Sequence, residues 1–555
     1  MKSFRSHLVL AGILLLGAAI VGRLFSLQIK QHDLYQAWAQ GQQKFFASVS
    51  GSRGEISFAG GEKLATNSAA KFVYLAPDEV KDKEKTKNIL EEVLGLDGNE
   101  LQAKLAGSNS YELLKDKLSN EEIDWLERLD LPGVHLSEET TRIFPQGELV
   151  SQTIGFVNAE DQGQYGLEGY YQNILEGESG VVEGEKGTNG FLLLLEGLNS
   201  TQKGKDLILT LDYQIQFEAE KILKQYSQDL GYKSATIIVM KPDNGEVLAV
   251  ANYPNFNPNN YGQETDPAIF QNTAIQKIFE PGSVFKPLTM AAAIQEGKIT
   301  PQTTYVDEGK VKIGGSTIYN FANRQYGQQT MTQVIEKSIN TGAVFAEQQL
   351  GSDLFLKYLE KFGFFEKTDV DVAGEVFSEN KEFKKGYEIN FATASFGQGI
   401  EITPIQLIKA FCAIANGGKM ANPHLVKSII DKDGKIEEVS LQAPKSIVSS
   451  NTSSQVVSMM ISVVENGFGK RAKIPGYYIA GKTGTAQVPE GGTYSSEKTI
   501  QSFIGFAPAF KPKFLILVKL DNPKSSTAEY SAVPIFHDLA KYIIDLWQIP
   551  PDYEY

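Results

Sequence analysis

Residues 8–22 are fifteen consecutive uncharged, mostly apolar positions, and beyond Arg23 the stretch Leu24-Phe25-Ser26-Leu27-Gln28-Ile29 extends them to membrane-spanning length. About 20 such residues cross a bilayer core, so this run constrains the layout of everything after it. Lys2 and Arg5 precede it, and Arg23 near its far end is placed to snorkel toward head groups. The positive-inside rule then puts the N-terminus in the cytoplasm and the rest of the chain outside. The expected order is a cytoplasmic tail over residues 1–7, a single-pass anchor in the cell membrane over residues 8–29, and an extracytoplasmic body. A cleaved signal peptide shares the charged start and apolar middle, but the run is long and no clear small-x-small cleavage site follows it. Gly12, Gly17, Ala18 and Gly22 would let a second membrane helix approach closely.

The whole chain has 555 residues, enough for about three or four domains. With 42% hydrophobic and 22% charged residues it is a folding sequence rather than a disordered one. Its 53 basic and 67 acidic residues leave a net charge of −14 with no offsetting Lys/Arg run, which argues against nucleic acid as a partner. Cys412 is the only cysteine, so neither an intramolecular disulfide nor a Cys-rich metal cluster can form; His7, His32, His135, His424 and His537 stand apart without ligand spacing.

Residues 51–56 lean toward strand. Residues 81–131 turn helical, with Ile89, Leu90, Val93 and Leu94 on one face and a capping box from Ser119 to Glu122. Residues 142–190 are rich in Gly, Glu and Tyr and offer no nucleophile with a base. Residues 31–204 therefore read as a mixed, non-catalytic segment. From Asp206 the pattern sharpens: residues 207–211 are strand-like, 214–226 helical, and 234–251 a pair of strands around Asp243-Asn-Gly245, a strong hairpin signal. Residues 499–508 and 514–520 again suit strands, and 535–547 a closing helix. Strands flanking a helical middle predict an α+β domain over residues 205–549, helices packed on a largely antiparallel sheet, followed by a short tail over residues 550–555.

Ser283 and Lys286 stand three residues apart at the start of an apolar helix that Gly297 ends, which puts both side chains on one face. A serine hydroxyl is a poor nucleophile until a base takes its proton, and a lysine does so once burial or a second cation lowers its pKa. Ser-x-x-Lys alone is weak evidence: Ser200/Lys203, Ser378/Lys381 and Ser495/Lys498 match it too, though in polar, loop-like surroundings. Ser338 and Asn340 offer a hydroxyl and an amide suited to relaying a proton and holding a substrate amide, a triplet that Ser449/Asn451 also matches. Lys482-Thr483-Gly484-Thr485 ends an apolar run; its lysine raises local positive potential, its threonine hydroxyls suit a carboxylate, and Gly484 permits close backbone approach. A nucleotide-binding alternative arises because residues 476–483 satisfy G-x-x-x-x-G-K-[ST]. A phosphate loop must turn into a helix just after Lys-Thr, however, and Gly484-Thr485 is a poor start for one.

Ser-x-x-Lys, Ser-x-Asn and Lys-Thr-Gly in this order resemble the signature of penicillin-binding proteins and class A β-lactamases. The flanks resemble class B penicillin-binding proteins in particular: Glu280-Pro-Gly-Ser-Val-Phe-Lys-Pro287, Gly397-Gln-Gly-Ile-Glu-Ile-Thr-Pro-Ile-Gln-Leu407, Ala413-Ile-Ala-Asn-Gly-Gly418 and Ser502-Phe-Ile-Gly-Phe-Ala-Pro508. Arg53-Gly-Glu-Ile56, Arg142-Ile-Phe-Pro145 and Gly166-Leu-Glu-Gly169 resemble that class's pedestal motifs, which makes residues 31–204 a dimerisation-like pedestal. The family's usual Asp-Arg-Asn-Gly turn is replaced here by Ser57-Phe-Ala-Gly-Gly61.

The resemblance implies a penicillin-binding transpeptidase fold and a D,D-transpeptidase that cross-links peptidoglycan. Ser283 would be acylated by a D-Ala-D-Ala donor stem peptide, and an amine acceptor would resolve the acyl-enzyme. It further implies Lys286 as base, Ser338 and Lys482 in proton transfer, and Asn340 on the substrate amide. Thr483, Gly484 and Thr485 would form the carboxylate subsite, and the N–H groups of Ser283 and Thr485 the oxyanion hole. β-Lactams are the implied inhibitors, a polytopic glycan polymerase and other division or elongation proteins the implied partners, and no metal or organic cofactor is implied. A septal role is preferred. A catalytically weak division scaffold, a β-lactam sensor or a β-lactamase on the same fold are the alternatives.

Overall fold

The computed structural model describes residues 2–30, 44–49, 51–107, 112–115, 118–178, 180–186, 192–194, 202–490 and 493–554. Residues 31–43, with which the expected pedestal opens, and Ser200 of one Ser-x-x-Lys match lie outside them. The chain divides into two units, residues 1–53 with 176–204, and residues 54–175 with 205–555.

In the first unit a helix over Lys2–Phe25 runs into a short π-helical turn, Ser26–Lys30. Ile13, Leu14, Leu15, Leu16, Ile20 and Val21 are exposed on it. Among the described residues no helix is long and apolar enough to cross a membrane. Lys44–Val49, Gly180–Lys186 and Leu192–Leu194 form an antiparallel sheet.

In the second unit, strands buried at every or nearly every position, as Ser234–Met240 and Phe514–Asp521 are, must be covered on both faces, and this explains the architecture of its five-stranded sheet. Five strands, β1 (Ser234–Met240), β2 (Val247–Tyr253), β3 (Ala480–Glu490), β4 (Thr493–Ala507) and β5 (Phe514–Asp521), pair antiparallel in the order β2-β1-β5-β4-β3. Successive side chains point to opposite faces. Ile237, Val239, Ile516 and Val518 therefore enter a core with helices α1 (Tyr213–Leu230) and α6 (Ala532–Leu546). Ile238, Met240, Leu515 and Leu517 enter another with α2 (Lys286–Gln295), α4 (Pro404–Ala415) and α5 (Ser450–Glu465). The Asn-Gly hairpin forms with a wider turn than the dipeptide alone suggests: Lys241 N donates to Glu246 O at 2.8 Å and Gly245 takes φ +85°.

The rest of this unit builds a second sheet. Ile56–Ser57 pairs antiparallel with Lys63–Leu75 and parallel with Asp206–Leu209, which in turn pairs with Val426–Ile430, so the sheet continues across residue 205. Although the expected Asp-Arg-Asn-Gly turn is absent, Phe58 N still closes the hairpin on Glu62 O at 2.9 Å, with Gly61 at φ +96°. The predicted capping box is present, with Ser119 accepting from Glu122 N and the Glu122 carboxylate from Ser119 N. Leu90, Leu94, Leu101, Leu105 and Leu126 close a small core with Val73 and Leu75. Two of the motifs assigned to the expected pedestal meet elsewhere in this unit: Arg142 and Glu168 form a buried ion pair at 2.7 Å.

Candidate active site

Ser283 lies in a 3-10 turn, Gly282–Phe285, that leads directly into α2. In a 3-10 turn residues i and i+3 eclipse, so the spacing that predicted one helical face stacks Lys286 directly over Ser283. Lys286 Nζ donates to Ser283 Oγ at 2.9 Å. Gly282 adopts φ +63° and its N–H donates to Gly397 O at 2.9 Å. A Cβ on Gly397 would stand 2.1 Å from Gly282 O, so the Gly397-Gln-Gly motif packs directly against the Ser283 turn. Ser283 stays half-buried while Lys286 is sealed, which leaves the hydroxyl accessible and the amine dry.

Ser338 and Asn340 come from the junction between the helix Met331–Glu336 and α3 (Asn340–Leu350). Ser338 itself holds φ +56°, a left-handed conformation that costs a non-glycine residue about 1–3 kcal/mol. That kink aims both groups at Lys286. Its Nζ donates to Ser338 O at 2.6 Å, to Ser338 Oγ at 3.2 Å and to Asn340 Oδ1 at 2.9 Å. From the other side Lys482 Nζ donates to Ser338 Oγ at 3.0 Å and to Thr483 O at 2.9 Å. The Ser338 hydroxyl thus bridges two amines.

Lys482, Thr483, Gly484 and Thr485 lie on β3, the edge strand of the five-stranded sheet, which runs beside the Ser283 turn. Gly484 makes that approach possible: a Cβ there would sit 2.4 Å from Ser502 Oγ, 2.9 Å from Val284 Cγ1 and 3.1 Å from Pro281 O. Thr483 is buried, and Thr485 Oγ1 accepts from Ala528 N at 3.5 Å. Because the strand continues through Lys482-Thr483 to Glu490, no helix follows the Lys-Thr pair, and the phosphate-loop alternative is excluded.

Burial decides the charge state of the two lysines. Desolvation brings Lys482 down to about 7, and it pushes Lys286 well below the ordinary lysine range, with repulsion from Lys482 adding to it. Lowering the pKa of Lys286 favours its unprotonated form, and in that form it can accept the proton of a serine 2.9 Å away.

The sequence matches outside the site resolve into structural roles. Ser378 Oγ donates to Glu401 at 3.2 Å and Lys381 pairs with Glu379 on the surface; the Ser495 hydroxyl accepts from Lys498 N at 3.1 Å; Ser449 N-caps α5. Sequence reasoning missed Tyr319, whose carbonyl accepts from Asn340 Nδ2 at 3.0 Å. A backbone contact leaves no side-chain signal to find.

Comparison with known proteins adds independent findings. Residues 235–541 match the penicillin binding protein transpeptidase domain, and residues 48–209 the penicillin-binding protein dimerisation domain. Stage V sporulation protein D of Bacillus subtilis is 35% identical over 483 residues, 85% of this chain and 75% of that protein. The peptidoglycan D,D-transpeptidase FtsI of Escherichia coli is 30% identical over 563 residues, 99% of this chain and 93% of that protein. The structure of penicillin-binding protein 3 from Mycobacterium tuberculosis complexed with aztreonam aligns with TM-score 0.72 at 25% identity, over 91% of this chain and 98% of that one. That of penicillin-binding protein 2X from Streptococcus thermophilus shares the fold, with TM-score 0.76 at 24% identity over 90% of this chain and 80% of that one.

Proposed function

Given that this chain belongs to the class B penicillin-binding proteins, the peptidoglycan D,D-transpeptidases, we propose that Ser283 is its nucleophile and Lys286 the base that activates it. The observation that carries this assignment is the convergence of two buried amines: Lys286 stands 2.9 Å from the Ser283 hydroxyl, and both lysines bond Ser338 Oγ, at 3.2 and 3.0 Å.

Neutral Lys286 takes the Ser283 proton as Oγ attacks the carbonyl carbon of the D-Ala-D-Ala bond. The N–H groups of Ser283 and Thr485 receive the oxyanion; loss of one such donor typically raises a barrier by about 3 kcal/mol. Ser338, bridged between Lys286 and Lys482, passes a proton to the departing D-alanine nitrogen. Asn340 holds the substrate amide: one of its two Nδ2 hydrogens serves Tyr319 O and the other is directed to the ligand. Lys482, Thr483 and Thr485 take the terminal carboxylate, with Gly484 keeping the strand close. The amine of an acceptor stem peptide then attacks the acyl-enzyme, forms the cross-link and returns Ser283 to its free state. A β-lactam carboxylate and amide occupy the same groups, and its opened ring stays on Ser283.

The layout extends from the same reading: an anchor over residues 8–29 with a cytoplasmic N-terminus, a pedestal over residues 31–204, and a transpeptidase domain over residues 205–549 facing the wall. The apolar run and its flanking charges support the anchor. A polytopic glycan polymerase is the partner proposed for its small-residue face, and likeness to FtsI supports a septal role.

Labelling with a fluorescent penicillin tests the assignment. The wild type should form a stable covalent adduct and Ser283→Ala none. Rapid turnover of the drug would identify a β-lactamase, and an unlabelled wild type would reject Ser283 as nucleophile.

A further inference from the structure

Asp307 is fully buried, and its carboxylate gathers four donor groups from four stretches of chain. Gly309 N reaches Oδ1 at 3.0 Å, Tyr326 N reaches Oδ2 at 2.8 Å, Asn320 Nδ2 meets both oxygens at 2.9 and 3.0 Å, and Thr341 Oγ1 donates to Oδ1 at 2.7 Å. A buried carboxylate is tolerated only when its oxygens are satisfied in this way, so each donor is held firmly in place.

Two of those donors border the active site. Thr341 follows Asn340 in the first turn of α3, and Asn320 follows Tyr319, whose carbonyl takes the Asn340 amide. The N-cap residue of α3, Ile339, has no side chain able to accept a hydrogen bond, which leaves the first N–H groups of the helix without their usual partner. Asn320 supplies it from another segment, its Oδ1 accepting from Thr341 N at 3.1 Å. Both ends of the Asn340 Nδ2 to Tyr319 O bond are therefore tied to one carboxylate, and Asn340 Oδ1 in turn accepts from Lys286.

We infer that Asp307, with Asn320 and Thr341, is a positioning residue for acyl transfer: it sets the orientation of Asn340 and so the point where the substrate amide meets Lys286. This rests on the Ser283 reading above and goes beyond it by naming what holds the second motif in register. Nothing in the three motifs marks these residues, because the contact depends on a strand end, a loop and a helix start brought together by the fold.

The test is the acylation rate constant per labelled molecule, measured by stopped flow with a fluorescent penicillin on the detergent-solubilised full chain. Thr341→Val removes the hydroxyl with little change of shape, whereas Thr341→Ser keeps it. Thr341→Val should acylate about tenfold more slowly, as expected when a reacting group is misplaced, and Thr341→Ser within about twofold of wild type. Asp307→Asn should slow acylation at least as much as Thr341→Val; if it fails to fold, the Thr341 pair decides alone. A purely structural role would lower the labelled fraction in Thr341→Val and leave the rate constant of the labelled molecules unchanged, which would overturn the inference. A wild type that never labels would overturn the Ser283 reading, and this inference with it.

Discussion

Two buried lysines in the same sheet show how a small difference in neighbours changes what burial does to an amine. Lys482 on β3 and Lys519 on β5, with β4 between them, are both sealed from water. Lys519 pairs with Asp521 at 2.5 Å and lies over the Phe279 ring at 5.2 Å. Burial pulls Lys519 below its ordinary range while Asp521 pushes it back, and burial would raise the Asp521 carboxyl were it not held down by Lys519 and Ser234. Among the described residues Lys482 and Lys286 bond to hydroxyl and carbonyl oxygens, and no carboxylate there offsets their desolvation. A counter-charge offsets part of what burial takes from a lysine's basicity; neutral acceptors leave that loss whole.

The sharpest way to break this contrast is to deny Lys286 its neutral form. Lys286→Arg keeps a positive charge at every accessible pH, and the acylation rate should fall by about a thousandfold while the protein still folds; penicillin labelling kinetics beside circular dichroism check both halves. A milder change gives the base what Lys519 already has. Asn340→Asp places a carboxylate where an amide oxygen now stands 2.9 Å from Lys286 Nζ. An adjacent anion favours the ammonium form and raises the pKa, and a base works only when unprotonated. The acylation–pH profile should therefore move upward by about one unit or more, with a roughly tenfold or greater loss at neutral pH that alkaline buffer reverses only in part, because the Nδ2 donor to Tyr319 O and to the substrate is lost as well. A profile whose midpoint did not move would show that a charge at this position does not reach Lys286. The smallest effect on chemistry is expected at the other lysine. Lys519→Met leaves Asp521 without its partner and should lower stability by about 3 kcal/mol in denaturant melts, yet leave the acylation rate of folded molecules unchanged.

Much of this was legible in the chain because the chemistry sits in short, local patterns. Ser283 and Lys286 are bonded neighbours within one turn, and Lys482 to Thr485 follow one another on a strand, so spacing, apolar context and the order of the motifs together marked the site. The core strands and the closing helix were equally plain, since every position of Ser234–Met240 and nearly every position of Phe514–Asp521 is buried and apolar runs betray that. What spacing could not supply is the long-range support. Gly397 props Gly282 from 115 positions away, and Asp307 reaches Thr341 across 34. Ordinary residue types fill these places, and only the folded chain gives them meaning. The same holds for Arg142 and Glu168, whose motifs were visible separately while their buried pairing was not.

The missing side chain at position 484 also restricts how this pocket can change under selection. A side chain there would press on Ser502 and Val284 and crowd the backbone of Pro281, forcing the edge strand away from the turn that carries Ser283. A variant that keeps its activity is therefore expected to keep glycine at this position.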